Sequence, residues 1–169
     1  KKRFAYQQPL LLMEVKNENV KDLLIVRPAI VYGPGDIDDT YGPVRFTGAA
    51  VNNNKINLWG DGNEYRDFIY IDDVNRFHEL LINKKSVTGG TYNIGSGLNY
   101  SILEVYEVIR KLINTDVIPE HKPDLPGEAF QNLADISAAR SLGWQPRVKL
   151  EDGLKLSIEY IRKNVLPTI

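Results

Sequence analysis

Leu58-Trp59-Gly60-Asp61-Gly62-Asn63-Glu64-Tyr65-Arg66-Asp67-Phe68-Ile69-Tyr70-Ile71-Asp72-Asp73-Val74 decides how this 169-residue chain is read. A short apolar strand (Ile56, Leu58) runs into a Gly-Asp-Gly turn, whose glycines supply the backbone freedom a tight reversal demands. Arg66 then opens a second apolar segment, and the paired aspartates stop it at the mouth of a helix, with Asp72 expected as N-cap. One cation held beside an aromatic side chain suits a ligand with a flat ring and an anionic group.

Upstream, Leu23-Leu24-Ile25-Val26, Arg27-Pro28 and Ala29-Ile30-Val31-Tyr32 form an apolar run without alternation, the pattern of a strand covered on both faces in a parallel sheet. Gly33-Pro34-Gly35-Asp36 ends it with turn chemistry, and Thr91–Ile94 is a second strand of the same kind. Helices are expected over 9–18, over 43–53 and from Asp73 to Ile82. Ser101-Ile102-Leu103-Glu104 is a capping box opening a helix through Ile113. Asp135 is expected to cap a helix through Leu142 that Gly143 stops, and an amphipathic helix covers Glu151–Val165. Short strands are expected at Ile56–Trp59, Phe68–Ile71 and Ile118–His121. Two buried-type strands without sequence-adjacent partners leave apolar edge and face open, so a partner or a missing segment is expected to complete the sheet.

Composition excludes several classes. Net charge is −1 from 21 basic and 22 acidic residues, with no long basic run, which argues against an electrostatic grip on nucleic acid. The absence of cysteine rules out disulfides and thiolate metal sites, and fits the cytoplasm or another reducing compartment. No apolar run approaches the roughly 20 residues needed to span a bilayer. The basic start, Lys1-Lys2-Arg3, precedes no signal-peptide cleavage site. His78 and His121 lack a second ligand at metal spacing, so no metal is assigned.

Five motifs arrive in an order that resembles the C-terminal half of the extended short-chain dehydrogenases/reductases, the NAD-dependent nucleotide-sugar epimerases and dehydratases. They are Arg27-Pro28-x-x-Val31-Tyr32-Gly33-Pro34, the Gly60–Val74 segment, Tyr92-Asn93-Ile94-Gly95, Pro126-Gly127-Glu128 with Ala134-Asp135-Ile136-Ser137, and Leu142-Gly143-Trp144-x-Pro146. The UDP-glucose 4-epimerase-like branch is the nearest in look. The resemblance implies an α/β fold, the C-terminal part of an NAD(P)-binding Rossmann-like fold with the first βαβ half missing. Residues 1–36 and 86–98 would contribute to the sheet, and 37–85 and 99–169 to a small α/β substrate lobe. It also implies NAD as cofactor and a nucleotide sugar as ligand. The glycine turn that would hold the NAD pyrophosphate is not in the chain, because Gly33-Pro34-Gly35 lacks the third glycine and proline cannot donate. No cofactor-binding residue is therefore assigned, and the chain alone is not expected to hold NAD.

The same resemblance places Ala5-Tyr6-Gln7-Gln8-Pro9-Leu10 where the family has its Tyr-x-x-x-Lys pair, so Tyr6 stands as catalytic tyrosine and Leu10 replaces the lysine. A tyrosine without that help, with a pKa of about 10, is only about one part in a thousand ionised at pH 7. Tyr6 is otherwise a helix-entry aromatic. Arg66 would grip a phosphate through its fork of donors, the alternative being a salt bridge to Asp61 or Asp67. Trp59 would lie beside the base, the alternative being core packing, and Asn57 and Val44 would line the same pocket. A second phosphate-binding arginine expected before Pro-Gly-Asp is replaced by Leu125, a loss worth about 1.5–3 kcal/mol. Two readings follow. The chain is the substrate-binding half of such an enzyme, degenerate or incomplete for catalysis (a pseudoenzyme). Alternatively, it is a non-catalytic structural or interaction subunit of a larger assembly. A stand-alone binder of UDP or a similar nucleotide is a third.

Overall fold

The structure, a computed structural model, describes residues 24–36, 42–87, 89–124, 127 and 129–164. The expected helix over 9–18, Tyr6, Leu10, Leu125, Pro126 and Glu128 lie outside those residues. In chain order the elements are β1 (Leu24–Pro28), β2 (Ile30–Tyr32), α1 (Gly42–Val51), β3 (Asn57–Trp59), β4 (Tyr65–Arg66), β5 (Phe68–Tyr70) and α2 (Ile71–Asn83). After these come β6 (Gly90–Ile94), β7 (Tyr100–Ser101), α3 (Ile102–Ile113), β8 (Glu120–Lys122), β9 (Gln131–Asn132), α4 (Ser137–Ser141) and α5 (Leu150–Asn164).

The apolar run 23–31, read as one strand, is divided between two partners. β1 pairs in parallel with β6, from Leu24↔Gly90 to Pro28↔Ile94, so the two buried-type strands do share a sheet. β2 pairs in parallel with β5, from Ile30↔Phe68 to Tyr32↔Tyr70. Pro28 brings no N–H to a ladder, and the hand-over follows at once. The Ala29 amide donates to Ile94 C=O at 2.8 Å and the Ile30 amide to Asp67 C=O at 3.1 Å. Successive amides of an extended chain point to opposite edges, so β6 and β5 flank the run on opposite sides. β5 falls within the 37–85 stretch that the sequence assigns to the lobe, and its partner β2 falls within 1–36.

A second group of strands carries the Gly-Asp-Gly segment. β3 pairs in parallel with β8, Asn57↔Glu120 through Trp59↔Lys122, so the strand expected at 118–121 lies at 120–122. β4 is the centre of a three-stranded sheet, antiparallel to β7 and parallel to β9. Strands of two residues carry no readable period, and the sequence reading did not find β4, β7 or β9.

The helices follow local signals where those are complete. The α3 capping box forms as expected: Glu104 N–H donates to Ser101 Oγ at 3.0 Å, and Ser101 N–H to Glu104 Oε2 at 2.7 Å. Asp72 is not the cap of α2. The helix begins at Ile71 with Tyr70 in the N-cap position, because β5 runs straight into it. Asp72 lies instead in the first turn, where its charge meets the positive end of the helix dipole. Asp135 stands one residue before the N-cap Ile136 of α4, yet its Oδ1 still accepts the Ser137 N–H at 2.9 Å.

One core cluster joins β2, α1, α3 and α5 through Tyr32, Phe46, Val105, Ile109 and Leu154. The other joins α2, β6 and α4 through Phe77, Ile94, Ala139 and the following Trp144. Among the described residues no helix is long and apolar enough to cross a membrane.

Candidate functional site

The site is built on the Gly-Asp-Gly turn between β3 and β4. Gly60 (φ 67°) and Gly62 (φ 78°) occupy the left-handed region that disfavours a side chain. Gly60 also makes space: a Cβ there would collide with Asp124 Oδ1 and sit 2.9 Å from Glu64 Oε1. Asp61 turns back on the loop, accepting Asn63 N–H at 2.9 Å and Nδ2–H at 2.8 Å, and those hydrogen bonds hold its pKa below the usual value.

Strand alternation sorts the residues before the turn. Leu58 is fully buried, whereas Asn57 and Trp59 share the opposite face and are exposed, Trp59 to 40%. Core packing, weighed as the alternative for Trp59, is therefore overturned; Leu58 takes that role. The Asn57 carbonyl accepts the Arg45 Nη2–H at 2.7 Å. Val44, on α1, is 7% exposed and packs in the first core cluster.

Arg66 ends β4 and is only 9% exposed. Its Nη1 donates to Tyr65 C=O at 2.9 Å, with Phe130 C=O at 3.5 Å. The two acids weighed as its partners are engaged elsewhere: Asp61 by Asn63, and Asp67 by Ser96, Gly97 and Ala134.

Beside the turn lies an open cleft of about 670 Å³, walled by Gly60, Asp61, Glu64, His121, Lys122, Pro123, Asp124 and Phe130. His121 Nδ1 is 2.8 Å from Gly60 C=O, the geometry of an Nδ1–H donor. Phe130 meets Tyr65 edge-on at 6.1 Å, and Glu64 Oε2 is buried without a hydrogen-bond partner among the described residues. Neither Arg66 nor Trp59 walls the cleft. Trp59 precedes its first residue, and Arg66 touches the carbonyl of its last. The sequence reading missed Glu64, Asp124 and Phe130, and did not place His121 here. Only the β3–β8 pairing brings 121–124 alongside the turn, and long-range pairing leaves no local trace.

The turn after β2 gives no cradle for a dinucleotide. It is closed on itself by Asp36 N–H to Gly33 C=O at 3.3 Å, and Gly33 is packed so closely that a Cβ would lie 2.6 Å from Ile71 Cγ2. That turn thus lacks the free N–H groups at a helix N-terminus on which a dinucleotide pyrophosphate is cradled. No group of three or more His, Asp or Glu able to hold a metal converges among the described residues.

The NAD dependent epimerase/dehydratase family matches residues 10–95. The chain belongs to that family. Among family relatives, the UDP-glucuronate 4-epimerase of Thermodesulfobacterium geofontis is 32% identical over 146 residues, 85% of this chain and 44% of the relative. The UDP-glucose 4-epimerase of Mycolicibacterium smegmatis is 30% identical over 144 residues, 81% of this chain and 44% of the relative. The UDP-glucose 4-epimerase of Thermotoga maritima, solved with UDP-glucose, superposes with a TM-score of 0.83 at 29% identity, covering 96% of this chain and 52% of the other. The UDP-glucuronic acid 4-epimerase of Bacillus cereus, in complex with UDP-glucuronic acid and NAD, gives 0.82 at 31% identity, covering 92% and 50%. The Rossmann-like α/β fold expected from the sequence is the fold of these epimerases, and this family member spans about half the length of the relatives it matches.

Proposed function

We propose that this chain is the nucleotide-sugar-binding half of an NAD-dependent epimerase/dehydratase, with Arg66 contacting the diphosphate and Trp59 the base. The observation that carries the reading is the geometry of one turn. It presents Trp59 and Asn57 on the open face of β3, delivers Arg66 seven residues after Trp59, and borders the cleft. In this reading 37–85 and 99–169 supply most of the lobe and 1–36 with 86–98 the sheet. Val44 would shape the pocket from behind. Redox chemistry with NAD would need a pyrophosphate cradle other than the turn after β2, and Tyr6 would be the acid/base group.

A second reading, a non-catalytic subunit of an assembly built on this fold, is favoured by two residues. Leu10 stands where the family has its lysine and Leu125 where it has a second arginine. Neither can carry charge to a ribose, a tyrosinate or a phosphate.

Calorimetric titration of UDP-glucose and UDP-glucuronic acid separates these. Arg66→Ala is expected to weaken binding by about tenfold or more, the worth of one charge-assisted contact. Equal affinity in wild type and variant dismisses Arg66 as a ligand group. Turnover of a UDP-sugar by the purified protein defeats the non-catalytic reading.

A further inference from the structure

Asp67, the residue after Arg66, is 1% exposed, and its carboxylate collects four donors from two distant segments. Ser96 N–H and Oγ–H each reach Oδ1 at 2.7 Å, while Gly97 N–H at 3.4 Å and Ala134 N–H at 3.3 Å reach Oδ2. The chain makes space for it, since a Cβ at Gly95 would collide with Oδ2. Its own carbonyl accepts the Ile30 amide of β2. Asp67 thus stands at the joint of three pieces: the parallel strands, the loop leaving β6, and the end of β9. That last strand pairs with β4 at Tyr65↔Gln131 and Arg66↔Asn132.

Burying a carboxylate is unfavourable unless donors surround it, and a well-packed apolar residue often serves stability as well. What an apolar residue cannot do is fix two backbone segments at hydrogen-bond distance from one point. One of those segments leads to Arg66: Ala134 follows β9, the strand paired with Arg66, and Phe130, whose carbonyl lies by its guanidinium, precedes it. We propose that Asp67 is a positioning residue for the nucleotide site, holding the 95–97 loop and β9 in register with β4 so that Arg66 and the Phe130 wall keep their spacing. The proposal rests on Arg66 being a ligand contact.

Asp67→Asn tests it with little change of shape. The amide oxygen can keep the Ser96 pair, but Nδ2–H then faces the Gly97 and Ala134 N–H groups, donor against donor. Asp73→Asn is the matched control. Asp73 is equally buried and accepts Arg147 and Val148 N–H, but it ties α2 to the segment before α5. In the full-length protein, UDP affinity and backbone amide exchange are read for both variants. Asp67→Asn is expected to raise the UDP Kd about tenfold or more and to speed exchange at Gly97, Ala134 and Tyr65. Asp73→Asn, whatever its loss in Tm, is expected to stay within about twofold in Kd. Equal loss of affinity in the two variants, or an unchanged Kd in Asp67→Asn, overturns the proposal. Should Asp67→Asn not fold, Ser96→Ala, which removes one donor, must weaken UDP binding about two- to fivefold; unchanged affinity there overturns it equally. Failure of the wild type to bind UDP sinks the reading of the site instead. Exchange at Tyr65 and Ala134 then decides Asp67 alone, and unchanged protection in Asp67→Asn removes its positioning role.

Discussion

Gly153 sits in the body of α5, where alanine would ordinarily be the better helix former by about 1 kcal/mol. Here the helix passes so close to the sheet that a Cβ would collide with Tyr32 Oη and lie 2.8 Å from Tyr70 Cδ2, both rings being buried. Packing therefore outweighs propensity. Gly153→Ala is expected to lower stability by about 1–3 kcal/mol, the usual range for overpacking, measured by urea unfolding. A gain in stability would mean the Tyr32 and Tyr70 rings yield freely. At this scale the sequence left Trp59 open between the base and the core; the burial of Leu58 decides it, because alternation then turns Asn57 and Trp59 the other way. Gly153 gave no such signal, because nothing near it in sequence announces Tyr32, 121 residues earlier.

At the scale of elements, what was legible is what is local. Ser-x-x-Glu at 101–104 specifies a reciprocal pair of hydrogen bonds within four residues, and the structure makes both. Ser101→Ala is expected to destabilise the protein by about 0.5–2 kcal/mol through the lost cap. A change near zero in a urea titration would show that water replaces the cap without loss. The Asp72-Asp73 pair misled for the opposite reason. β5 runs straight into α2, so the N-cap position falls on Tyr70, which gives no side-chain cap, and Asp72 becomes a first-turn acid. Its neighbour Asp73 was drawn to the Arg147 and Val148 amides and to Arg76. Arg147 and Val148 lie outside any window a local reading can span, as do the partners of the two-residue strands that flank Arg66.

Across the whole molecule, the apolar run at 23–32 announced a buried parallel strand, but not that it changes partner at Ala29, since both halves carry the same residue types. That change of partner sets β2 and β5 side by side and brings Tyr32 against Tyr70, ring centroids 5.6 Å apart, under α5. Tyr32 O–H donates to Leu150 C=O at 3.3 Å, and Tyr106 O–H to Val117 C=O. Burial pushes the Tyr32 phenol well above its ordinary value, helped by Tyr100, Tyr70 and Asp152, and burial likewise raises Tyr70, Tyr100 and Tyr106. A phenol raised in the folded state contributes stability that is complete below the unfolded value of about 10 and is lost as pH climbs beyond it, because only the unfolded chain can then ionise. Stability is accordingly expected to be level on this account up to about pH 10 and to fall above it, by at most about 1.4 kcal/mol per pH unit for each such tyrosine. Tyr32→Phe is expected to lose about 0.5–1.5 kcal/mol at neutral pH with its hydrogen bond to Leu150. It should also show a shallower alkaline decline than the wild type. Urea unfolding at a series of pH values, with tyrosinate absorbance followed in parallel, measures both. An alkaline slope in Tyr32→Phe as steep as in the wild type would show that the β2–α5 contact opens before its phenol has to ionise.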